Sequence, residues 1–409
     1  MKALFVSNFY PPHHVGGYEL GCRDVVEALR GRGHDVRVLT SAYGVAAETQ
    51  DGVVERALTV DPEWAEGGRA TSFRRVLAKE ARNRRVLRRA LRRHAPDVAY
   101  FWNLGYLSAS ALTAESTGEP PTLALVSDHW LAGLLQFDTF SRWCREAPRA
   151  RVGRVAKRLV ISLLDRAGRV PSFQRLSLSE VHFTSRFLEE RALRAGVPIR
   201  RSRVIRWGVD PGKFRAPQAW GPCRGRLLYV GQIAPHKGVH TALEALARLP
   251  VRPGQDAPVL SIAGGSVLPA YEAEIRDMVP RLGLDGRVRF LGNVPRDGLP
   301  AVYADHDILL FPSTWEEPFS ITLLEAMACG LAVVTTLTGG TPELVVDGSN
   351  ALAFPASDAA ACAGRVTELL ANDRLFDAVR RAGRATVESG YRLEAMVDRI
   401  EAALGDAIS

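Results

Sequence analysis

The sequence predicts an α/β protein made of two successive units, each a parallel sheet flanked by helices. Short β-branched runs alternate with helix-length segments along the 409 residues, as βαβ units require. The alternation stops and restarts around residues 204–222, a stretch rich in Gly and Pro that includes W-G-V-D-P-G-K-F-R-A-P-Q-A-W-G-P. Charge divides at the same place. Residues 1–205 carry 33 basic and 21 acidic side chains, net +12, and residues 206–409 carry 20 and 24, net −4.

In chain order, residues 3–7 read as a buried strand and residues 17–31 as an amphipathic helix carrying Val25, Val26 and Leu29, stopped by Gly31 and Gly33. Strands follow at 36–40, 98–102 and 122–127. The second half repeats the pattern: strand 226–231, helix 239–249, strand 259–263, helix near 270–282, and strands 288–291 and 308–311. A helix at 321–329, a strand at 332–335 and a long helical C-terminus complete it. The length supports two or three domains at roughly 100–200 residues each. Hydrophobic residues at 46% and charged residues at 24% exclude wholesale disorder and fibrous architectures.

The five cysteines (Cys22, Cys144, Cys223, Cys329, Cys362) are scattered without a C-x-x-C, which fits a reducing compartment and argues against a disulfide scaffold or zinc site. M-K-A-L-F-V-S-N-F-Y-P-P has no apolar region of signal-peptide length, and no run of ~18 apolar residues occurs. A cytoplasmic location is expected, with peripheral binding to the inner face of a membrane as an option.

In open α/β sheets ligands bind beyond the carboxyl ends of the strands, so the loops after the strands are where chemistry is sought. In F-P-S-T-W-E-E-P-F-S-I-T-L-L-E-A-M-A-C-G (311–330) a strand ends and a helix begins near Phe319 or Ser320. Its free first-turn N–H groups suit an anion such as a diphosphate. Glu317 lies at the helix mouth and Glu325 about two turns in, so the two carboxylates can address separate parts of an extended ligand. In Y-V-G-Q-I-A-P-H-K-G (229–238), Gly231 and Gly238 allow close backbone approach, with Lys237, Gln232 and His236 beside a phosphate. This is not G-x-x-x-x-G-K-[ST], and G-G-Y-E-L-G at 16–21 is not G-x-G-x-x-G, which disfavours a nicotinamide dinucleotide. Gly16 and Gly17 open a helix after the first strand, and S-D-H-W at 127–130 offers Asp128 or His129 to a substrate hydroxyl.

Together these segments resemble the retaining glycosyltransferases of family 4. The resemblance covers nearly the whole chain: P-P-x-x-x-G-G at 11–17, F-T-S-R-F-L at 183–188, V-I-R-W-G-V-D-P-G-K-F at 204–214, F-L-G-N-V at 290–294, Y-A-D-H-D-I-L-L-F-P-S at 303–313 and T-G-G-T-P-E-L-V-V-D-G at 338–348, besides the two loops above. It implies a GT-B fold, two Rossmann-like domains facing across a cleft. Residues 1–205 would bind the acceptor, 206–390 the nucleotide-sugar donor, and a C-terminal helix in 391–409 would cross back to the first domain. It also implies site residues. Glu317 and Glu325 form the E-x7-E pair, the first contacting the transferred sugar and the second the ribose. Backbone groups at Phe319, Ser320 and Ile321 hold sugar and phosphate. Lys237 neutralises the leaving diphosphate, so no metal or other cofactor is needed. Gly16, Gly17, Gly231, Gln232, Arg206, Gly264 and Asn293 complete the donor site, and His129 is the catalytic candidate of the first domain.

The sequence departs from the family pattern at three places. Gln232 stands where Arg is usual, leaving Arg206, or His236 if protonated, to compensate. Ser127 stands where His is usual. Ser320 replaces a Gly and narrows the approach to that backbone. The reaction implied is transfer to an acceptor hydroxyl with retention. The alternatives are another GT-B reaction, an epimerase or a phosphorylase, and a catalytically silent sugar-nucleotide-binding scaffold. The base, the sugar and the acceptor (glycan, lipid or small molecule) stay open.

Residues 74–93 hold ten basic residues and one Glu. In 151–164, Val152, Val155, Leu159 and Leu163 form one stripe with Arg154 and Lys157 opposite. Basic amphipathic helices of this kind can rest on an anionic membrane. The competing reading is a solvated face in a chain with 48 Arg against five Lys. Nucleic acid is disfavoured, because no aromatics interleave the Arg runs.

Overall fold

The computed structural model describes the chain except residues 15, 46–48, 61–72, 106, 108–119, 147–150, 171, 173–177, 252–255 and 267. Two compact units are present, one formed by Met1–Ile205 with Val397–Ser409 and the other by Arg206–Met396.

The N-terminal unit contains β1 (Lys2–Ser7), α1 (Tyr18–Gly31), β2 (Asp35–Ser41), β3 (Thr49–Asp51), β4 (Val54–Leu58), α2 (Phe73–His94), β5 (Val98–Asn103) and β6 (Thr122–Val126). There follow α3 (Leu134–Phe137), α4 (Thr139–Arg145), α5 (Arg151–Arg166), β7 (Glu180–Phe183), α6 (Arg186–Arg194) and β8 (Ser202–Val204). Its sheet runs β3-β4-β2-β1-β5-β6-β7-β8. All pairs are parallel except β3–β4. Such a sheet is covered on both faces, and β1 and β5 are accordingly buried along nearly their whole length. The predicted stripe of α1, Val25, Val26 and Leu29, is buried with Cys22. The chain leaves that helix through Gly33 at φ +87°.

The C-terminal unit contains β9 (Arg226–Val230), α7 (Val239–Arg248), β10 (Val259–Ala263), α8 (Pro269–Arg281), β11 (Val288–Gly292), α9 (Leu299–Ala304) and β12 (Ile308–Phe311). There follow α10 (Ile321–Ala328), β13 (Ala332–Thr335), β14 (Leu352–Ala353), α11 (Ala359–Ala371), α12 (Asp373–Gly390) and α13 (Leu393–Ile408). The sheet order is β11-β10-β9-β12-β13-β14, all parallel. The chain starts at β9, builds outward through β10 and β11, then returns to lay β12, β13 and β14 on the other side. The β9–β12 boundary is therefore the topological switch point, where helices leave in opposite directions and a crevice opens at the strand ends. Only the first turn of α13 lies in this unit; from Val397 on the helix belongs to the N-terminal unit, where Asp398 meets Arg32 at 2.7 Å and Asp406 meets Arg203 at 2.7 Å.

Candidate functional site

The predicted residues of the C-terminal unit gather at the carboxyl edge of its sheet. Asn293 follows β11, Gly264 follows β10, Gly231 and Gln232 follow β9, and Glu317 follows β12. The ends of these strands are stitched by backbone bonds: Gly231 N–H to Ala263 O at 3.0 Å, Gly264 N–H to Gly292 O at 2.8 Å and Ile233 N–H to Gly265 O at 2.9 Å. Gly264 has φ +148°, and a Cβ there would lie 1.8 Å from Gly231 O, so only Gly lets the two loops approach.

Lys237 and Glu317 sit on the two sides of the switch point. Lys237 closes a 3₁₀ turn (Pro235–Lys237) capped by Gly238, from which α7 departs. Its ammonium donates to Glu317 Oε1 at 2.7 Å. The Ser313 hydroxyl donates to the same oxygen at 2.5 Å. The Glu317 side chain is only 6% exposed and that of Lys237 24%, so the pair is desolvated mainly at the carboxylate. The β9 and β12 loops are tied together through one acceptor, His236 O, which takes Thr314 N–H at 2.9 Å and Trp315 N–H at 3.2 Å. The loop after β13 supports Glu317 from behind: Gly340 N–H donates to Glu317 O at 2.7 Å. Gly339, at φ +58°, leaves no room there, since its Cβ would stand 2.2 Å from Glu317 O.

The helix after this loop starts at Ile321, one residue later than Ser320. Ser320 is its N-cap, with Oγ accepting Leu323 N–H at 3.3 Å. The first-turn N–H groups of Ile321 and Thr322 have no acceptor within the helix and, with the dipole, define an anion-favouring point four and five residues from Glu317. Two turns on, Glu325 is almost fully buried and already engaged. Arg296 Nε donates to Oε1 at 3.3 Å and the Tyr303 hydroxyl to Oε2 at 3.1 Å. Phe319 is buried beneath Tyr391.

Neither candidate for the missing positive charge is left as a loose cation. Arg206 pairs with Glu343 at 2.8 Å, in the Thr341–Glu343 turn that follows Gly340. Burial, then the neighbouring Lys237 charge, pushes His236 below the ordinary histidine range, with Glu317 opposing. These surroundings oppose protonation of the His236 ring, the condition on which it could compensate. The sequence reading missed Ser313, Arg296, Tyr303, Glu343 and Tyr391 as supports of this site. Of these, Glu343, Ser313 and Tyr303 lie in segments that carry the family resemblance, and Arg296 and Tyr391 lie outside any such segment.

In the N-terminal unit the strand ends at β1, β5 and β6 carry a polar cluster, again at a switch point, where β1 meets β5. Asn8 Oδ1 accepts the Tyr18 hydroxyl at 2.8 Å, and Asn8 Nδ2 donates to Gly105 O at 3.0 Å. Asn103 Nδ2 donates to Asp128 Oδ2 at 2.7 Å. Burial raises the Asp128 carboxyl above its ordinary value, against the Trp130 N–H and Asn103 bonds, and Glu19 adds to the rise. Gly16 N–H donates to buried Glu19 at 3.0 Å, and Gly17 caps α1. The His129 ring stands edge-on to Phe187, 6.1 Å between centroids. Buried Ser127 lies at the end of β6, just before Asp128.

Two family models match this chain, Glycosyltransferase Family 4 over residues 15–213 and Glycosyl transferases group 1 over residues 213–386. A glycogen synthase of Mycobacterium tuberculosis is 27% identical over 96% of this chain and 91% of its own length. A D-inositol 3-phosphate glycosyltransferase of Corynebacterium efficiens is 36% identical over 41% of this chain and 40% of its own. Among solved structures, sucrose-phosphate synthase of Thermosynechococcus elongatus superposes with a TM-score of 0.73 at 20% identity, covering 99% of both chains. HepE of Anabaena, solved with UDP-glucose, superposes with a TM-score of 0.69 at 20% identity, covering 99% of this chain and 100% of its own. These likenesses establish the GT-B fold of two Rossmann-like domains. With the two family models abutting at residue 213, the chain belongs to the group 1, family 4 glycosyltransferases.

Proposed function

We propose that the protein moves a hexosyl unit from a nucleoside-diphosphate sugar to an acceptor hydroxyl, with retention of anomeric configuration and without a metal. The supporting observation is the Lys237–Glu317 pair at the switch point, followed within a few residues by the N-terminus of α10. As the bond from the sugar to the diphosphate breaks, negative charge grows on the leaving oxygen. Lys237 and the Ile321 and Thr322 N–H groups are preorganised donors for that charge, the kind of stabilisation that supplies the largest share of many enzymes' rates. In this reading Lys237 turns from Glu317 to the diphosphate when donor binds, and Glu317 is released toward the reacting sugar. The acceptor hydroxyl attacks the face from which the diphosphate leaves. Glu325, fixed by Arg296 and Tyr303, presents its remaining lone pairs to the ribose. Gly231, Gln232, Gly264 and Asn293 line the phosphate and base side.

The N-terminal unit takes the acceptor in this reading, with Gly16, Gly17 and His129 at its strand ends. Its partners are the donor, an acceptor carried on a glycan, lipid or small molecule, and an anionic membrane surface on the cytoplasmic side. That HepE was solved with UDP and with UDP-glucose supports a nucleotide-sugar donor. The test is a thermal-shift and hydrolysis screen over uridine, guanosine and adenosine diphosphate sugars, with the anomeric configuration of the product read by NMR. Stabilisation by a nucleotide sugar and its slow hydrolysis, lost in Lys237→Ala, is the expected result. Binding without hydrolysis or transfer would leave a scaffold, and an inverted product would overturn the retaining mechanism.

A further inference from the structure

We propose that the face of the N-terminal unit formed by α2 and α5 docks on an anionic lipid bilayer, with the apolar stripe of α5 seated among the headgroups and the α2 arginines gripping lipid phosphates. This docking rests on the proposed binding to an anionic membrane and is independent of the transfer reaction.

The apolar stripe is the first observation. Val155, Leu159 and Leu163 are 61%, 63% and 64% exposed. They recur every four residues, so they stand in one line of roughly 12 Å along the helix. Scattered exposed leucines are ordinary, but three aligned on one helix form a patch that calls for a partner. Lys157, opposite the stripe, is half-buried, its ammonium 4.3 Å from the centroid of the Trp143 ring, so it pins α5 to α4. The apolar stripe faces outward, and Arg154 and Arg158 of the same helix are exposed. The Val152 side chain lies outside the described residues.

The neighbouring groove is the second observation. Between α2 and α5 runs a groove of ≈ 880 Å³ whose walls include Arg85, Arg88, Arg89, Arg92 and Arg93, with Glu80 the one carboxylate among its described lining residues. These five arginines are exposed. Phe140, Leu164 and Leu77 supply an apolar floor. Guanidinium forks around an apolar floor suit a phosphate joined to hydrocarbon, which is the chemistry of an anionic lipid headgroup at its glycerol end. An aqueous polyanion such as nucleic acid would use the arginines and leave Val155, Leu159 and Leu163 in water. A bilayer uses both. Among the described residues no helix is long and apolar enough to cross a membrane, so the docking is peripheral.

The experiment is co-sedimentation of the full chain with vesicles of phosphatidylcholine alone and of phosphatidylcholine with 30% phosphatidylglycerol, at 0.1 and 0.5 M NaCl. Pelleting is expected only with the anionic vesicles, falling at least tenfold at high salt. Leu159→Gln/Leu163→Gln changes side chains already in water, so it should fold normally yet bind at least tenfold more weakly. Arg85→Glu/Arg89→Glu should abolish pelleting, and 10 mM glycerol phosphate should not displace the wild type. Equal pelleting with neutral vesicles, none with anionic vesicles at 0.1 M NaCl, or wild-type binding by the leucine variant would each overturn the proposal. The last result would leave a groove that binds soluble polyanions or an acidic protein. The nucleotide thermal shift should be unchanged in both variants, so failure here is distinguishable from failure of the transfer reading.

Discussion

The Tyr391 ring stacks on Phe319, centroids 5.8 Å apart and planes inclined by 26°. The Tyr391 hydroxyl donates to Glu343 O at 3.0 Å, and the Tyr391 carbonyl accepts Val209 N–H at 2.9 Å. One residue thus joins three pieces: the Glu317–Ser320 loop, the turn whose Glu343 holds Arg206, and the chain at Val209 where the C-terminal unit begins. Tyr391 acts on the site through Phe319, so it is a positioning residue. Tyr391→Phe keeps the stack and loses one hydrogen bond, a cost of about 1 kcal/mol. Its kcat should stay within threefold of wild type. Tyr391→Ala removes the stack and should lower donor kcat/KM at least tenfold, with most of the loss in kcat. A Tyr391→Ala enzyme that melts lower but turns over normally would reduce the residue to a purely structural part.

The Lys237–Glu317 pair predicts a separation of stability from activity. In Lys237→Ala the nearly buried Glu317 carboxylate keeps Ser313 as its side-chain donor, and burying an uncompensated charge costs free energy. Because Lys237 is partly solvated, the loss should fall toward about 1–2 kcal/mol. Adding Glu317→Gln removes the stranded charge, so the double variant should melt above Lys237→Ala. Transfer should nonetheless drop by about 10²–10³ in both, since the donor aimed at the leaving group is gone in each. Calorimetry paired with nucleotide-release kinetics reads the two effects; activity returning along with stability would sink the assignment of Lys237 to the leaving group.

Ser320 combines a structural gain with a steric cost. Its hydroxyl satisfies Leu323 N–H, and losing such a cap to Ala costs about 1 kcal/mol, while Gly costs only a few tenths. Ser320→Gly also removes the Cβ beside the first-turn N–H groups. It should therefore leave the melting temperature within about 1–2 °C and lower the donor KM about threefold. Ser320→Ala should be the less stable variant, with KM near wild type. A raised KM in Ser320→Gly would mean the hydroxyl itself contacts donor.

Much of this architecture was legible because buried parallel strands read as apolar runs: residues 259–263, 308–311 and 332–335 are strands at the predicted residues. Strand β7 escaped notice for a physical reason. Its sequence, Glu-Val-His-Phe, buries two titratable groups that partner one another, Glu180 Oε1 and His182 Nε2 at 3.3 Å. Strand β14 has two residues, too short for any periodicity. At the site, spacing placed Glu325 two turns into α10, but no local pattern shows that Arg296 and Tyr303, 29 and 22 residues away, converge on it. Tyr391 was invisible for the same reason: its partners lie 72 and 48 residues off along the chain, and only the fold brings them together.

His236 gives a pH prediction whose sign follows from its lowered pKa. The unfolded chain binds this proton near the ordinary value of about 6.5, whereas the folded ring, buried and beside Lys237, binds it only at lower pH. Protonation therefore favours the unfolded state. The stability linked to this ring is fully present above the unfolded pKa and is lost as pH falls through the window between the two values. Glu317 opposes the shift, and the Trp315 ring, 5.2 Å away, carries no charge. His236→Gln should gain stability relative to wild type on going from pH 7.5 to 5.5, measured as a flatter dependence of Tm on pH. The loop survives the change, because it is the His236 carbonyl, not the ring, that accepts Thr314 and Trp315 N–H. With the ring neutral near pH 7.5, it supplies no charge to a diphosphate there, and nucleotide release by His236→Gln should stay within about twofold of wild type. A tenfold loss in His236→Gln at pH 6 that shrinks toward pH 8, as wild-type activity falls with loss of the ring proton, would restore His236 as the cation that replaces the Arg missing at Gln232.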